Sequence, residues 1–190
     1  MCYMEKVLKN LQDRYERKEP VRLLFVCLGN ICRSPAAEEL MRQEVIGHND
    51  EDRFELDSAG LYGGHAGQFP DDRMRLHARR RGYDLTHHAR RVRTLDFDDF
   101  DMILAMDSLN LSRLQDMAPT VQDRDKVVMM SEFFTDAANK RYDHVPDPYY
   151  EGAEGFELVL DMLEDATHTL YNAITGNFLS VIDHTTTTIK

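Results

Sequence analysis

Cys27 closes an apolar run, "VRLLFVC", and Arg33 follows with five residues between them, succeeded at once by Ser34 and Pro35. A strand, a short loop and a helix start at this spacing curl the main chain. Successive N–H groups can then turn inward and form an anion nest. The N-terminus of the following helix adds its partial positive charge to the same point. Gly29 and Asn30 tolerate the left-handed backbone that a concave loop demands. A phosphate dianion fits such a cradle, and Arg33 can fork onto two of its oxygens. A free thiol titrates near about 8.5, and helix N-termini or nearby cations lower that to roughly 3.5–7.5. Cys27 is therefore expected to be held as a thiolate that attacks a phosphate, with the Ser34 hydroxyl donating to the sulfur. A lone cysteine at a strand end is usually a small buried hydrophobe. The strand, the Gly-Asn pair, the arginine and the Ser-Pro helix start together outweigh that reading here.

The elements around this loop alternate. An amphipathic helix is expected over residues 4–17, with Val7, Leu8, Leu11 and Tyr15 on one stripe, and Glu19-Pro20 breaks it. Val21–Cys27 reads as a strand buried on both faces. Ser34 is placed as the cap of the next helix and Pro35 at its first position, with Gly47 as the stop. Strands are expected at 54–57, 101–106 and 126–130. Helices are expected at about 71–81, at 107–117, near 131–138, and in a long C-terminal stretch ended by Gly176. Residues 60–70 and 139–151 read as loops. Four strands alternating with helices predict a three-layer α/β sandwich, a four-stranded parallel sheet of flavodoxin-like or Rossmann-like type. Ligands of such sheets bind beyond the strands' carboxyl ends, where Cys27 lies.

The 190 residues are 42% hydrophobic and 30% charged, which is enough for one compact core. No stretch has the apolar length of a membrane span, and the first twenty residues carry no signal-peptide core. The three cysteines, Cys2, Cys27 and Cys32, fit neither a disulfide framework nor zinc spacing. We therefore expect a cytoplasmic protein without metal or cofactor. The net charge of −11 argues against nucleic acid. Arg73, Arg75, Arg79, Arg80, Arg81, Arg90, Arg91 and Arg93 nonetheless cluster mid-chain. They are either a solvated face or a means of attracting an anionic substrate or partner.

"VCLGNICRSP" closely resembles the phosphate-binding loop of low-molecular-weight protein tyrosine phosphatases. The Asp147-Pro148-Tyr149-Tyr150 stretch stands where that family keeps its Asp-Pro acid. The stretches Asp57-Ser58-Ala59-Gly60, His87-His88-Ala89-Arg90 and Met106-Asp107-Ser108-Leu109-Asn110-Leu111 match further landmarks. The resemblance covers about residues 21 to 175 and implies a two-step reaction. Cys27 attacks phosphorus, Asp147 protonates the leaving oxygen, and water hydrolyses the phosphocysteine with Asp147 as base. Arg33 and the loop residues Leu28, Gly29, Asn30, Ile31, Cys32 and Ser34 bind the phosphoryl group. By the same resemblance Asn30, Ser58 and His87 hold the loop in shape, and Tyr149 and Tyr150 form an aromatic wall. It also implies a phosphotyrosine-containing protein as substrate, with a tyrosine kinase as one candidate. We further expect a monomer that does not meet membranes.

The chain departs from the family at Gly64, where many relatives place the aromatic residue of the other wall. Either Tyr62 or His65 replaces it, or the cleft is wider. Cys32 has two readings: a reversible disulfide partner for Cys27, or a space-filling small residue. Alternatives for the whole chain are an arsenate reductase on this fold, which would need cysteines beyond Cys32, and a silent phosphate-binding or redox-sensing module. The domain reading is an N-terminal helical extension at 1–20, a phosphatase domain at 21–176 and a tail at 177–190.

Overall fold

The computed structural model describes residues 3–176; Cys2 and the expected tail at 177–190 lie outside the described residues. The strands are β1 (Val21–Cys27), β2 (Phe54–Gly60), β3 (Met102–Ala105) and β4 (Val127–Met129). They pair in parallel in the order β2-β1-β3-β4. Alternation along β1 supplies both faces of the sheet: Leu23 and Phe25 enter one apolar cluster, Leu24 and Val26 the other. The first cluster is covered by α1 (Tyr3–Glu16), α2 (Arg33–Gly47), α3 (Asp72–Arg80) and, later in the chain, the long helix Ala153–Thr175. The second receives Phe97 from α4 (Asp96–Asp99) and Leu114 from α5 (Ser108–Met117). The short α6 (Val121–Asp125) follows α5, so Ala153–Thr175 is α7. The expected three layers are present, and every residue of β1 except Arg22 is buried.

The N-terminal helix packs on the domain. Leu11 is fully buried, and Met4, Val7, Leu8 and Tyr15 lie against the same core. Gln12 donates to the Ala173 carbonyl at 2.7 Å, near the end of α7. The Tyr15 hydroxyl donates to Asp50 at 2.7 Å, under the Arg53 guanidinium, which stands 4.2 Å over its ring. Leu11→Ala is therefore expected to cost about 3 kcal/mol of unfolding free energy, the usual figure for a buried leucine truncation. Urea denaturation measures this, and an unchanged midpoint would show that the helix braces nothing.

Several boundaries differ from the sequence reading. Helix α2 opens at Arg33, two residues before the expected start, with Cys32 rather than Ser34 in the capping position. The Ser34 hydroxyl is not a cap because it is turned inward to the cysteine loop. The helix expected near 131–138 is only a 3₁₀ turn over Met130–Phe133. The N–H groups of Thr135 and Asp136 go instead to the Asp165 carboxylate, at 2.9 and 3.0 Å, and the chain leaves helical conformation. Gly176 does end α7, in the left-handed conformation at φ 77°.

Candidate active site

The β1–α2 loop wraps the Cys27 sulfur. Asn30 takes a left-handed backbone at φ 56°, which points its N–H at Sγ from 3.2 Å. Ser34 Oγ lies 3.1 Å from the same sulfur. Asn30 Nδ2 donates to Ser34 Oγ at 2.9 Å, so the serine proton is left for Cys27 Sγ, at 3.1 Å, or for the more distant Ala59 carbonyl, at 3.4 Å. Two donors on one sulfur suit a negative charge there.

Asn30 is the hub of the support. Besides Ser34, its Nδ2 donates to Ser58 Oγ at 2.9 Å. Its Oδ1 accepts from the Arg90 N–H at 2.9 Å and from His87 Nε2 at 3.1 Å. His87 Nδ1 faces Glu38 Oε2 at 3.1 Å, and Ser58 donates to the same oxygen at 2.8 Å. Burial pushes the Glu38 carboxyl up, yet the His87 and Ser58 hydrogen bonds and the charge of Arg42 hold it below the usual glutamate range. Asn30→Ala would leave four polar partners short of a bond and keep an alanine at positive φ. The expected loss is about 3 kcal/mol, of which Asn30→Gly recovers about 1 by relieving the backbone alone. Paired urea titrations check this; Asn30→Ala as stable as the parent would remove Asn30 from its hub position.

Two close approaches fix the neighbouring strand. Gly60 pairs with Cys27 in register, and a Cβ on it would stand 3.0 Å from the main chain of Leu28, Gly29 and Asn30. The chain leaving β2 is then zipped to the loop by Leu61 N to Cys27 O at 3.1 Å and Tyr62 N to Leu28 O at 2.8 Å.

Arg33 is 3% exposed and carries its guanidinium between two carboxylates. Nη1 bonds Asp107 Oδ2 at 2.6 Å and the Val145 carbonyl at 3.2 Å, and Nη2 bonds Asp147 Oδ2 at 2.9 Å. Burial would pull the proton from Arg33, but Cys27, Asp147 and Asp107 more than offset it and keep the guanidinium charged. Asp107 follows β3 directly and caps α5 through the Asn110 N–H at 2.7 Å. Asp147 caps the 3₁₀ turn Pro148–Tyr150. Its loop is tied to the end of β3 by Val145 N to Met106 O at 2.8 Å. The two parallel crossovers thus bring both acids to one arginine.

Above this lies a cleft of about 250 Å³. Cys27, Cys32 and Arg33 line it with Leu28, Gly29 and Ile31, and Asp147, Tyr149 and Tyr150 line it from the later loop. Tyr62 and His65 line it from the loop after β2, so both residues, not one of them, stand where the missing aromatic was expected. Their rings meet edge to face at 5.7 Å. The Tyr62 ring folds over Gly64: a Cβ there would lie 2.2 Å from it, so a larger residue would displace the ring. Asn30, Ser34, Ser58 and His87 do not line the cleft, and their side chains form the layer beneath it. Burial, followed by the nearby charge of Asp71, pushes the Cys32 thiol far above the ordinary cysteine range, and both loop cysteines are free.

Glu38, Asp57, Arg90 and Asp107 carry contacts that the sequence reading did not assign. Glu38 lies one helical turn after Ser34, and Asp107 at a strand's carboxyl end, and these positions were the available signals. Glu38, Asp57 and His87 could also hold a metal by distance, their ligand atoms lying within 4.8 Å of one another. Arg42, Ser58 and Arg90 already take the carboxylates, which suits a hydrogen-bond network.

A parallel sheet that delivers a cysteine, an arginine and an aspartate to one aromatic-walled cleft defines a cysteine-dependent phosphatase. The chain belongs to the low molecular weight phosphotyrosine protein phosphatase family, whose family model matches residues 22–178. It is 42% identical over 137 residues to the low molecular weight phosphotyrosine protein phosphatase of Schizosaccharomyces pombe, covering 72% of this chain and 85% of that one. It is 40% identical over 157 residues to a low molecular weight protein-tyrosine-phosphatase of Streptomyces coelicolor, covering 80% and 93%. A solved protein tyrosine phosphatase from Entamoeba histolytica superposes with a TM-score of 0.78 at 43% identity, covering 83% and 98%. The protein is accordingly a protein-tyrosine phosphatase. No helix among the described residues is long and apolar enough to cross a membrane.

Proposed function

We propose that this phosphatase works through Cys27 as nucleophile, Arg33 as phosphate fork and Asp147 as general acid and base, on phosphotyrosine in proteins of the cytoplasm. The observation that carries the reading is the Arg33–Asp147 contact at 2.9 Å, which brings fork and acid together over the buried sulfur. An arriving phosphoryl group takes the Arg33 fork and releases Asp147 toward the leaving oxygen. The Cys27 sulfur forms its bond to phosphorus as the aryl ester bond breaks, and the Asp147 proton passes to the phenolate oxygen. Water then attacks phosphorus and loses a proton to Asp147, and the P–S bond breaks to return thiolate and inorganic phosphate. The loop N–H groups and Arg33 stabilise the equatorial oxygens, and no step calls for a metal. The aromatic lining suits a flat aryl ester, whereas phosphoserine is too short to bring its phosphorus down to Cys27.

Asp147→Asn tests the acid. Phenyl phosphate, whose leaving group needs a proton, should lose about 100-fold or more in kcat, and p-nitrophenyl phosphate less than about 10-fold. Equal losses on the two esters would contradict the assignment.

A further inference from the structure

The mid-chain arginines are largely consumed by ion pairs. Arg73 pairs with Asp71, Arg75 with Asp72, and Arg79 with Asp84, at 2.8, 3.5 and 3.0 Å. Arg81 meets Asp161 at 2.8 Å, while Arg90 and Arg93 share the buried Asp96 at 2.9 and 3.1 Å. Among the described residues, only Arg80 and Arg91 of this group have guanidiniums with no such partner, and both are exposed.

Arg91 is the one that stands beside the loop whose Tyr62 and His65 line the cleft. Cys27 pairs with Gly60 across the sheet, and Gly60 bridges in parallel to Arg91. Neighbouring strands lie about 4.8 Å apart, so the Arg91 main chain stands roughly 10 Å to the side of Cys27. The Val92 N–H donates to the Gly60 carbonyl at 2.9 Å and pins it there. Its aliphatic stem runs along Gly63, between Tyr62 and His65 in sequence: a Cβ on Gly63 would lie 3.2 Å from Arg91 Cδ. Across the cleft, Arg73 stands 5.2 Å from the Tyr149 ring centre, but Asp71 neutralises it.

We propose that Arg91 is a specificity residue that receives the carboxylate of an acidic residue flanking the phosphotyrosine. This inference rests on the reading that phosphotyrosyl proteins are the substrate. An extended peptide advances roughly 3.4 Å per residue, so a side chain one to three residues from the phosphotyrosine reaches the Arg91 guanidinium. The chain as a whole carries −11 and repels an acidic peptide, so an unpaired cation beside the Tyr62–His65 wall weighs heavily in which acidic peptides are accepted.

Two phosphotyrosine peptides of equal length, one with Glu and one with Gln beside the phosphotyrosine, test it. Each kcat/KM is divided by the same enzyme's value on p-nitrophenyl phosphate. The parent should prefer the Glu peptide about 3- to 5-fold, through KM, and the preference should shrink as salt is added. Arg91→Gln should bring the ratio to about 1, Arg91→Glu should invert it, and Arg80→Gln should keep the parent ratio. A parent with no preference, or one that survives Arg91→Gln, overturns the proposal. A parent that hydrolyses p-nitrophenyl phosphate but neither peptide overturns the substrate reading, and this inference with it.

Discussion

Cys27→Ser is expected to lower kcat toward any aryl phosphate by ~10⁴-fold or more, the scale on which removing a covalent nucleophile acts. The reason is in what surrounds the sulfur. Its partners are the Asn30 N–H, which donates at 3.2 Å, and Ser34 Oγ, which lies 3.1 Å away. Such partners can stabilise a negative charge on the sulfur but remove no proton. A serine hydroxyl at the same point meets no base and stays protonated. The cradle and Arg33 remain, so the variant should still bind phosphotyrosine peptides and retain them on a column. Stopped assays with p-nitrophenyl phosphate, together with peptide binding, measure both effects. Activity within about 100-fold of the parent would remove Cys27 from the nucleophile's position.

Arg33→Lys is expected to lower kcat/KM by ~10³-fold although it preserves the charge. Arg33 reaches Asp107 at 2.6 Å and Asp147 at 2.9 Å through two different nitrogens of one rigid plane. An ammonium is a single point and cannot grip two phosphoryl oxygens in that plane, nor hold both acids at rest. Inhibition by inorganic phosphate should weaken along with turnover. Thermal unfolding should move by only a few degrees, because the lysine stem fills most of the same volume. A loss of less than tenfold would mean that charge alone, without the fork, suffices.

The central loop was legible because its physics is local. A buried strand ending in cysteine, a Gly-Asn pair and an arginine at the helix start all act within a few residues. Of the Gly-Asn pair, Asn30 takes the left-handed backbone, at φ 56°, and Gly29 does not. The sheet was legible for the same reason, since β1 is apolar on both faces. Ser34 shows where local reading fails. By sequence it is a helix cap, but the fold offers its hydroxyl a sulfur and an amide, and the helix opens at Arg33 instead. Asp107 and Asp147 both meet Arg33, a convergence set by crossovers spanning more than seventy residues, which no spacing rule reports. The resemblance supplied Asp147, while Asp107 was only a matched landmark without a role. The composite wall of Tyr62 and His65 was hidden because the placing of the Tyr62 ring over Gly64 and against His65 is set by the fold and not by spacing. Of the arginine cluster, most partners are acids within six residues of their arginine, whereas Arg81 is met by Glu157, Asp161 and Glu164 of α7, a convergence that only the fold reveals.

The most direct measurement is a rapid acid or denaturant quench of the enzyme turning over a phosphorus-labelled aryl phosphate, followed by peptide mapping of the label. The Asp147→Asn variant, which should also slow hydrolysis of the intermediate, is the form to use. With p-nitrophenyl phosphate, a stoichiometric label is expected on the sulfur of the peptide that carries Cys27, absent in Cys27→Ser. Label on any other residue, or turnover with no protein-bound phosphate at any quench time, would contradict it.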